Sequence, residues 1–332
     1  RGDRLRPVAA WRLGPRGFPR LFAVVAGPRL CLLSAPGLEA SVFKKRIEAL
    51  IVGLFLLICL GGGTCSRARV ESLTEMNEGV VLAAQKRYSD AVEHLDRAAS
   101  IDPTNDLALW NLAICHMEMQ QFEAAADDLR RAITINPESA GYHEKLGTVL
   151  VELERWDDAR EEFERAIELD EDLFKAYFKL GQILERQDDP QNALRRYTEA
   201  IEHGPRFIEA YRALGRLYAD LGYLDQAAQV LQSGLSVVID GTDDEAELHH
   251  LLGTVYQEQR NYDAAVEQFR AALEIDGSMA EALFSLGWTY GLQDNREEAR
   301  RYLQRYIEVA GEAAPDHYLK AAQDRIGELS GP

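Results

Sequence analysis

The 332-residue chain has only four cysteines, and they are scattered at Cys31, Cys59, Cys65 and Cys115. A disulfide-stapled domain needs a denser set at regular spacings, so that class of scaffold is excluded. We expect Cys115 to pack as a small apolar residue. Cysteine usage therefore leaves the redox compartment open.

The sequence also lacks an apolar run long enough to cross a membrane as a helix. Its main run covers residues 49–60, or 49–63 if three glycines are included. A spanning helix needs about 20 residues, whereas the core of a signal peptide has about 7 to 15. The length favours export over a permanent membrane span.

Basic residues are scarce after position 65. The first 65 residues hold ten Lys or Arg and three Asp or Glu, which leaves 27 basic and 52 acidic residues in the rest of the chain. This strongly negative part repels nucleic acid and anionic lipid surfaces, and its charge helps to keep an extended protein soluble. We therefore expect no nucleic-acid partner.

Motifs of known catalytic chemistry are absent as well. The sequence has no His-Glu-x-x-His, no paired-cysteine zinc spacing, no phosphate-cradling glycine loop and no nucleophile elbow. His249 and His250 are adjacent, so on a helix they point about 100° apart and do not share a metal ion. We expect no enzymatic activity, no cofactor, no metal site and no small-molecule substrate.

What the sequence does contain is a repeat. A small residue is followed twelve positions later by alanine in seven pairs: Gly79 and Ala91, Ala113 and Ala125, Gly147 and Ala159, Gly181 and Ala193, Gly215 and Ala227, Gly253 and Ala265, Gly287 and Ala299. The step between pairs is 34 residues, except for one step of 38. Apolar residues recur at helical offsets of three and four, so each unit is predicted to be a pair of antiparallel helices. One unit cannot bury its apolar face alone, and stacking of units supplies the core.

The repeat resembles the tetratricopeptide repeat (TPR) family. The family pattern of Leu-Gly-x-x-Tyr, Ala-x-x-x-Phe and Pro is represented here by Leu214-Gly215-x-x-Tyr218, Ala159-x-x-x-Phe163 and Pro205. The resemblance implies an all-α fold, a right-handed α-solenoid of about seven helix hairpins within residues 66–332. The units are expected to start near residues 72, 106, 140, 174, 208, 246 and 280.

Two further segments carry structural predictions. Residues 316–329 follow the seventh unit with an amphipathic pattern, which predicts a capping helix within residues 315–330 over the last exposed core face. Four extra residues after Val238 belong to an acidic segment that superficially suggests a calcium loop. It lacks the alternating ligand positions, and Thr242 with Glu245 predicts a capping box for the next helix.

The first 65 residues are expected to lie outside the repeats. Residues 1–41 are rich in Arg and Pro and show no helix or strand period, so we expect a disordered leader. If translation starts near Val42, this leader is not part of the native protein. Residues 42–65 are expected to form a signal peptide or membrane anchor, because three basic residues precede the apolar run.

The segment Gly62-Gly63-Thr64-Cys65 resembles the end of a bacterial lipoprotein signal, although the usual Leu three positions before the cysteine is missing. The resemblance implies lipid attachment at Cys65, and Ser66 in the next position implies an outer-membrane location. An inner-membrane signal-anchor, a soluble exported protein and an organellar membrane protein are the alternatives.

In this family, partners usually bind in a concave groove lined by the first helix of each unit. Transfer of the groove positions to this sequence gives an apolar first zone: Met76, Val80, Leu107, Trp110, Ile114 and Met117. The middle zone is basic and aromatic: Lys175, Phe178, Arg186, Arg212 and Arg216, with Lys179 beside them. The last zone contains His250, Phe284, Trp288 and Leu292.

A basic zone within an acidic chain predicts the chemistry of the partner. Lys175, Arg212 and Arg216 are expected to hold an acidic stretch or a carboxylate terminus, because guanidinium groups match carboxylates. The alternative is that these cations only neutralise neighbouring acids such as Glu185. The large aromatic residues of the zones are either partner contacts or part of the core. The family's carboxylate clamp of two Lys, two Asn and one Arg is not reproduced.

The sequence thus predicts a non-catalytic scaffold or assembly factor that is tethered in the cell envelope and binds a protein or peptide in its groove. The pilotin-like repeat lipoproteins that help secretin or pilus components reach the outer membrane offer one analogy. A docking subunit for a peptidoglycan or polysaccharide enzyme and a self-associating spacer are the alternatives.

Overall fold

The computed structural model describes residues 67–311 and 315–330, and this part of the chain is helical without strands. The leader, the signal or anchor segment and Cys65 lie outside the described residues. The fifteen helices of the described part are α1 (Arg67–Ala84), α2 (Tyr88–Ile101), α3 (Asp106–Glu118), α4 (Phe122–Ile135), α5 (Ala140–Glu152), α6 (Trp156–Leu169), α7 (Phe174–Arg186), α8 (Pro190–His203), α9 (Ile208–Asp220), α10 (Leu224–Leu235), α11 (Asp243–Glu258), α12 (Tyr262–Ile275), α13 (Ala280–Leu292), α14 (Arg296–Ala310) and α15 (Asp316–Leu329).

Helices α1 to α14 form seven consecutive pairs, α1 with α2 through α13 with α14. Within each pair the helices pack along one another, and each second helix also packs against the first helix of the next pair. The last helix, α15, packs on α14 and buries Ala322 and Leu329. The predicted all-α solenoid of stacked helix pairs with a closing helix is confirmed.

The small residue in each first helix is required by the close approach of the second helix. A Cβ atom on Gly181 would lie 2.5 Å from the ring of Tyr197, and one on Gly253 would lie 2.6 Å from the ring of Phe269. Both rings are fully buried. The repeated glycine therefore provides the space that the ring of the partner helix fills.

The turn inside each pair places one residue in the left-handed region. Gly222 has φ of +79°, and the other six residues have φ between 56° and 61°: Lys86, Gln120, Glu154, Asp188, Arg260 and Asp294. In the first turn Lys86 N–H donates to Ala83 O at 2.8 Å, and Arg87 N–H donates to Leu82 O at 3.0 Å. These two bonds satisfy the last carbonyl groups of α1 in a Schellman motif. Gly222, and to a smaller degree Asp188 and Asp294, are residue types that adopt this conformation readily, whereas Lys, Gln, Glu and Arg are not.

Two local predictions are also confirmed. Thr242 Oγ1 accepts from Glu245 N–H at 3.4 Å, which is the predicted N-cap of α11. The Glu245 carboxylate accepts from Gly241 N–H at 2.5 Å, one residue before the N–H of Thr242 that a capping box uses. Cys115 is buried, and burial raises the pKa of its thiol to about 11. None of the described helices combines the length and apolar character that a membrane span requires.

Candidate functional site

A cavity of about 340 Å³, here called the middle cavity, is bordered by the first helices of the third, fourth and fifth pairs. It is lined by Val151, Trp156, Lys179, Gln182, Ile183, Glu185, Arg186, Tyr197 and Arg216. Three of these residues are cationic and one is acidic. Small-molecule pockets have about 300 to 1,000 Å³, so this volume suits a side chain or a chain terminus.

Glu185 is held inside the middle cavity by two donors. Arg216 Nη2 donates to Glu185 Oε1 at 2.9 Å, and Tyr197 Oη donates to Glu185 Oε2 at 2.8 Å. Burial, together with the hydrogen bond to Glu185, raises the pKa of Tyr197, so its hydroxyl stays a donor. The acidic residue of the cavity is therefore committed to partners within the chain.

The other two cations of the middle cavity have no carboxylate partner among the described residues. The Arg186 guanidinium lies over the Trp156 ring at 4.3 Å from the centroid, and Lys179 Nζ donates to Gln182 Oε1 at 3.1 Å. Stacking on an aromatic face fixes the guanidinium plane and leaves its edge N–H groups as donors. The cavity thus presents two uncompensated positive charges.

A second cavity, here called the C-terminal cavity, has a volume of about 750 Å³ and lies between α11, α13, α14 and α15. Its aromatic and acidic lining residues are Phe284, Tyr306, Tyr318, Asp243, Glu247, Asp276 and Glu281. His250 also lines it, and His250 Nε2 lies 3.2 Å from Ser285 Oγ. Burial lowers the pKa of His250, which keeps the imidazole neutral at neutral pH.

The structure distributes the predicted basic zone over two places. Arg186, Arg216 and Lys179 line the middle cavity. Arg212 lies apart from it, because its Nη1 donates to Asp244 Oδ1 at 3.0 Å and it also pairs with Glu247.

Two predicted residues of the middle zone point elsewhere. Lys175 is exposed, with Nζ 6.0 Å from the centroid of the Phe174 ring. Phe178 packs edge-on against Phe207, with the ring centroids 5.1 Å apart. Of these two predicted residues, neither lines the middle cavity.

The predicted apolar first zone is only partly open to solvent. Val80 and Leu107 are 39% and 51% exposed, whereas Ile114 is half-buried. Trp110 packs on the ring of Tyr142 with the centroids 5.2 Å apart. The remaining two residues of the zone also pack against the core, and they are Met76 and Met117.

In the last zone, His250 and Phe284 both line the C-terminal cavity. Trp288 stacks on Phe284 at 5.7 Å, and the Arg325 guanidinium of α15 lies 5.7 Å from the Trp288 centroid. Leu292 is 44% exposed. The structure therefore joins this zone to the closing helix.

Sequence reasoning missed the second-helix residues that complete both cavities. Tyr197 forms a wall of the middle cavity from α8, and Tyr306 forms a wall of the C-terminal cavity from α14. One signal was present, since Tyr306 occupies a position where five other units have alanine.

One cluster of the first pair has metal-ligand chemistry. Glu75, Glu78 and His94 each place a ligand atom within 4.8 Å of the others. Arg97 Nε donates to Glu75 at 3.0 Å, and Arg97 Nη2 lies 2.9 Å from His94 Nδ1. The guanidinium already supplies the positive charge that a cation would bring, so the cluster is an ion-pair network.

Stacked helix pairs with cavities bordered by their first helices define a helical repeat protein. Tetratricopeptide repeat models match residues 82–143, 178–237 and 244–312, and a TPR repeat model matches residues 147–188. Together these matches cover more than half of the chain. The chain belongs to the tetratricopeptide repeat family.

Solved structures share the fold at low identity. The C-terminal part of a TPR repeat-containing protein from Cytophaga hutchinsonii is 12% identical with a TM-score of 0.62, and the match covers 74% of this chain and 98% of that one. PilF of Pseudomonas aeruginosa is 15% identical with a TM-score of 0.53, and the match covers 65% of this chain and 97% of PilF. A chain of the APC/C hetero-tetramer Cut9–Hcn1 is 14% identical with a TM-score of 0.53, and the match covers 86% of this chain and 52% of that one. A comparison with curated protein sequences gives no match.

Proposed function

We propose that this protein is a non-catalytic scaffold that binds a partner protein or peptide along its first helices. An acidic side chain or a terminal carboxylate of the partner enters the middle cavity. The observation that carries this proposal is the pair of cations, Lys179 and Arg186, that have no carboxylate partner among the described residues although the chain has a net charge of −18.

A carboxylate in the middle cavity has suitable donors around it. The Arg186 guanidinium, held on Trp156, offers two parallel N–H groups, and Lys179 offers a compact ammonium group. Val151 and Ile183 line the same cavity and exclude water from one side. Charge-assisted hydrogen bonds gain strength in such partly dry surroundings.

Binding of an acidic probe tests the proposal. The probe is a fluorescein-labelled, amidated peptide of Gly and Glu, and its counterpart carries Gln in place of every Glu. We expect the full chain to bind the Glu peptide more tightly by fluorescence anisotropy, and Lys179→Gln to weaken that binding about fivefold because one charged donor is lost. Arg195, exposed on α8 and outside the cavity, provides the matched control Arg195→Gln. Equal affinity for the Glu and Gln peptides would refute the proposal.

We further propose that the scaffold is tethered in the cell envelope by a lipid on Cys65, with an outer-membrane location. The support comes from sequence: three basic residues at 44–46, an apolar run and small residues before Cys65. Metabolic labelling with an alkyne fatty acid in a Gram-negative host is expected to mark the wild-type chain and Cys59→Ser, but not Cys65→Ser. An unlabelled wild-type chain would contradict the tether.

A further inference from the structure

We propose that the C-terminal cavity binds a cationic side chain of the partner, the guanidinium of arginine or the ammonium of lysine. This inference rests on the proposed peptide-binding function and adds a second contact with its own chemistry. The cavity is bordered by two first helices, α11 and α13, so a segment that follows the first helices reaches it.

Three aromatic rings from three different helices converge on the cavity. Phe284 of α13 lies 5.2 Å from the Tyr306 ring of α14 and 5.3 Å from the Tyr318 ring of α15, both in edge-to-face geometry. Tyr318 is 46% exposed and stands at the open side. Aromatic faces attract cations through their quadrupoles, most strongly where water is partly excluded.

The charge of the lining is negative throughout. Four carboxylates line the cavity, and no Lys or Arg does. Asp243 and Glu281 form no ion pair with any described residue. Glu247 pairs with Arg212, and Asp276 accepts from the Ser278 N–H and hydroxyl, which lowers the pKa of Asp276.

The negative charge of Asp243 and Glu281 is not neutralised by the other groups that line the cavity. His250 is kept neutral at neutral pH by burial, so it adds a polar nitrogen and no positive charge. A cation that enters from the open side of the cavity therefore meets the exposed Tyr318 ring, together with the carboxylates of Glu281 and Asp243, which are available for charge-assisted hydrogen bonds. The aromatic walls and the free acids make this a cation site rather than a plain solvated acidic surface.

The two cavities have opposite charge, and this polarity orients a bound segment. An acidic group placed at α7 and a basic group placed at α13 fix the direction in which the segment runs along the pairs. The closing helix contributes Tyr318 to this recognition. Its role thus extends beyond covering the apolar face of the last pair.

The test uses the full chain and two labelled peptides, one of Gly and Arg and one with citrulline in place of each Arg. Citrulline keeps the shape of arginine and removes its charge. We expect the Arg peptide to bind at least about tenfold more tightly by fluorescence anisotropy. In the Glu281→Gln variant, most of the difference in affinity between the Arg and citrulline peptides is expected to disappear. Glu274→Gln, which removes an exposed carboxylate outside the cavity, is expected to change the affinity less than about twofold.

Each result decides one point. Equal binding of the Arg and citrulline peptides overturns the inference, and so does an equal effect of Glu281→Gln and Glu274→Gln. Tyr318→Ala is expected to weaken binding of the Arg peptide, measured at a temperature at which circular dichroism shows the variant to be folded, because the ring also packs on Phe284. Unchanged binding overturns the role of the ring. Because the acidic Glu peptide occupies the middle cavity, its binding should be unaffected by Glu281→Gln. Loss of Glu-peptide binding alone would contradict the proposed function and leave this site standing.

Discussion

Replacement of Gly181 by alanine is expected to lower the free energy of unfolding by about 1–3 kcal/mol, although alanine is the better helix former. The new Cβ would lie 2.5 Å from Tyr197 Cε1, well inside van der Waals contact. The Tyr197 ring is fully buried and has little room to retreat. Its hydroxyl is also fixed by the hydrogen bond to Glu185.

The same substitution reaches the middle cavity. Glu185 accepts hydrogen bonds from Tyr197 and Arg216. A displaced Tyr197 withdraws its hydroxyl, so that Glu185 loses one of these two bonds. We therefore expect Gly181→Ala to weaken Glu-peptide binding in addition to lowering stability. Packing and recognition are linked here because one side chain serves both.

Gly141→Ala is the matched control. Gly141 lies in the first turn of α5, where a Cβ atom meets nothing within 4 Å. Alanine there is expected to raise the free energy of unfolding by about 0.5–1 kcal/mol because it reduces the entropy of the unfolded chain. Urea unfolding followed by circular dichroism measures both variants. Similar changes in the two variants would show that the contact with Tyr197 does not determine the cost.

The repeat architecture could be predicted from sequence because its determinants are local and recur. The pairing of a glycine such as Gly181 with Ala193 twelve positions later reflects two helices packed side by side across one turn. The turn conformation itself was not predictable in the same way. Lys86 and Glu154 adopt positive φ because the hairpin imposes it, and their residue types give little indication of it.

The candidate site was predicted only in outline. The groove positions were taken from the first helix of each pair, so they did not include the second-helix residues that also line the two cavities. Arg212 and Arg216 are one helical turn apart and were expected to act together. In the structure Arg216 forms an ion pair with Glu185 on the preceding first helix, α7, and Arg212 forms one with Glu247 on the following first helix, α11. Which neighbour a long side chain reaches depends on acids that lie about 30 residues away in sequence, and a position rule does not contain that information.

These two arginines of α9 are therefore expected to have opposite roles in binding. Arg216→Gln removes a cation from the middle cavity and leaves Glu185 as an unneutralised acid there. The Glu peptide should lose about tenfold in affinity, because the carboxylate of Glu185 is no longer neutralised by Arg216 and repels the acidic groups of the peptide. The Arg peptide should be affected little.

Arg212→Gln releases Glu247, which lines the C-terminal cavity, and Asp244 beside it. Affinity for the Arg peptide should then rise about threefold to tenfold, because another free carboxylate faces the cavity. Both variants change the net charge of the chain by the same amount, so a general charge effect would weaken the Glu peptide and strengthen the Arg peptide equally in each. A crossed pattern in the anisotropy titrations, in which each variant alters the affinity for only one of the two peptides, supports two separate sites of opposite charge. Parallel changes in both variants would show that the two cavities are only features of a uniformly charged surface.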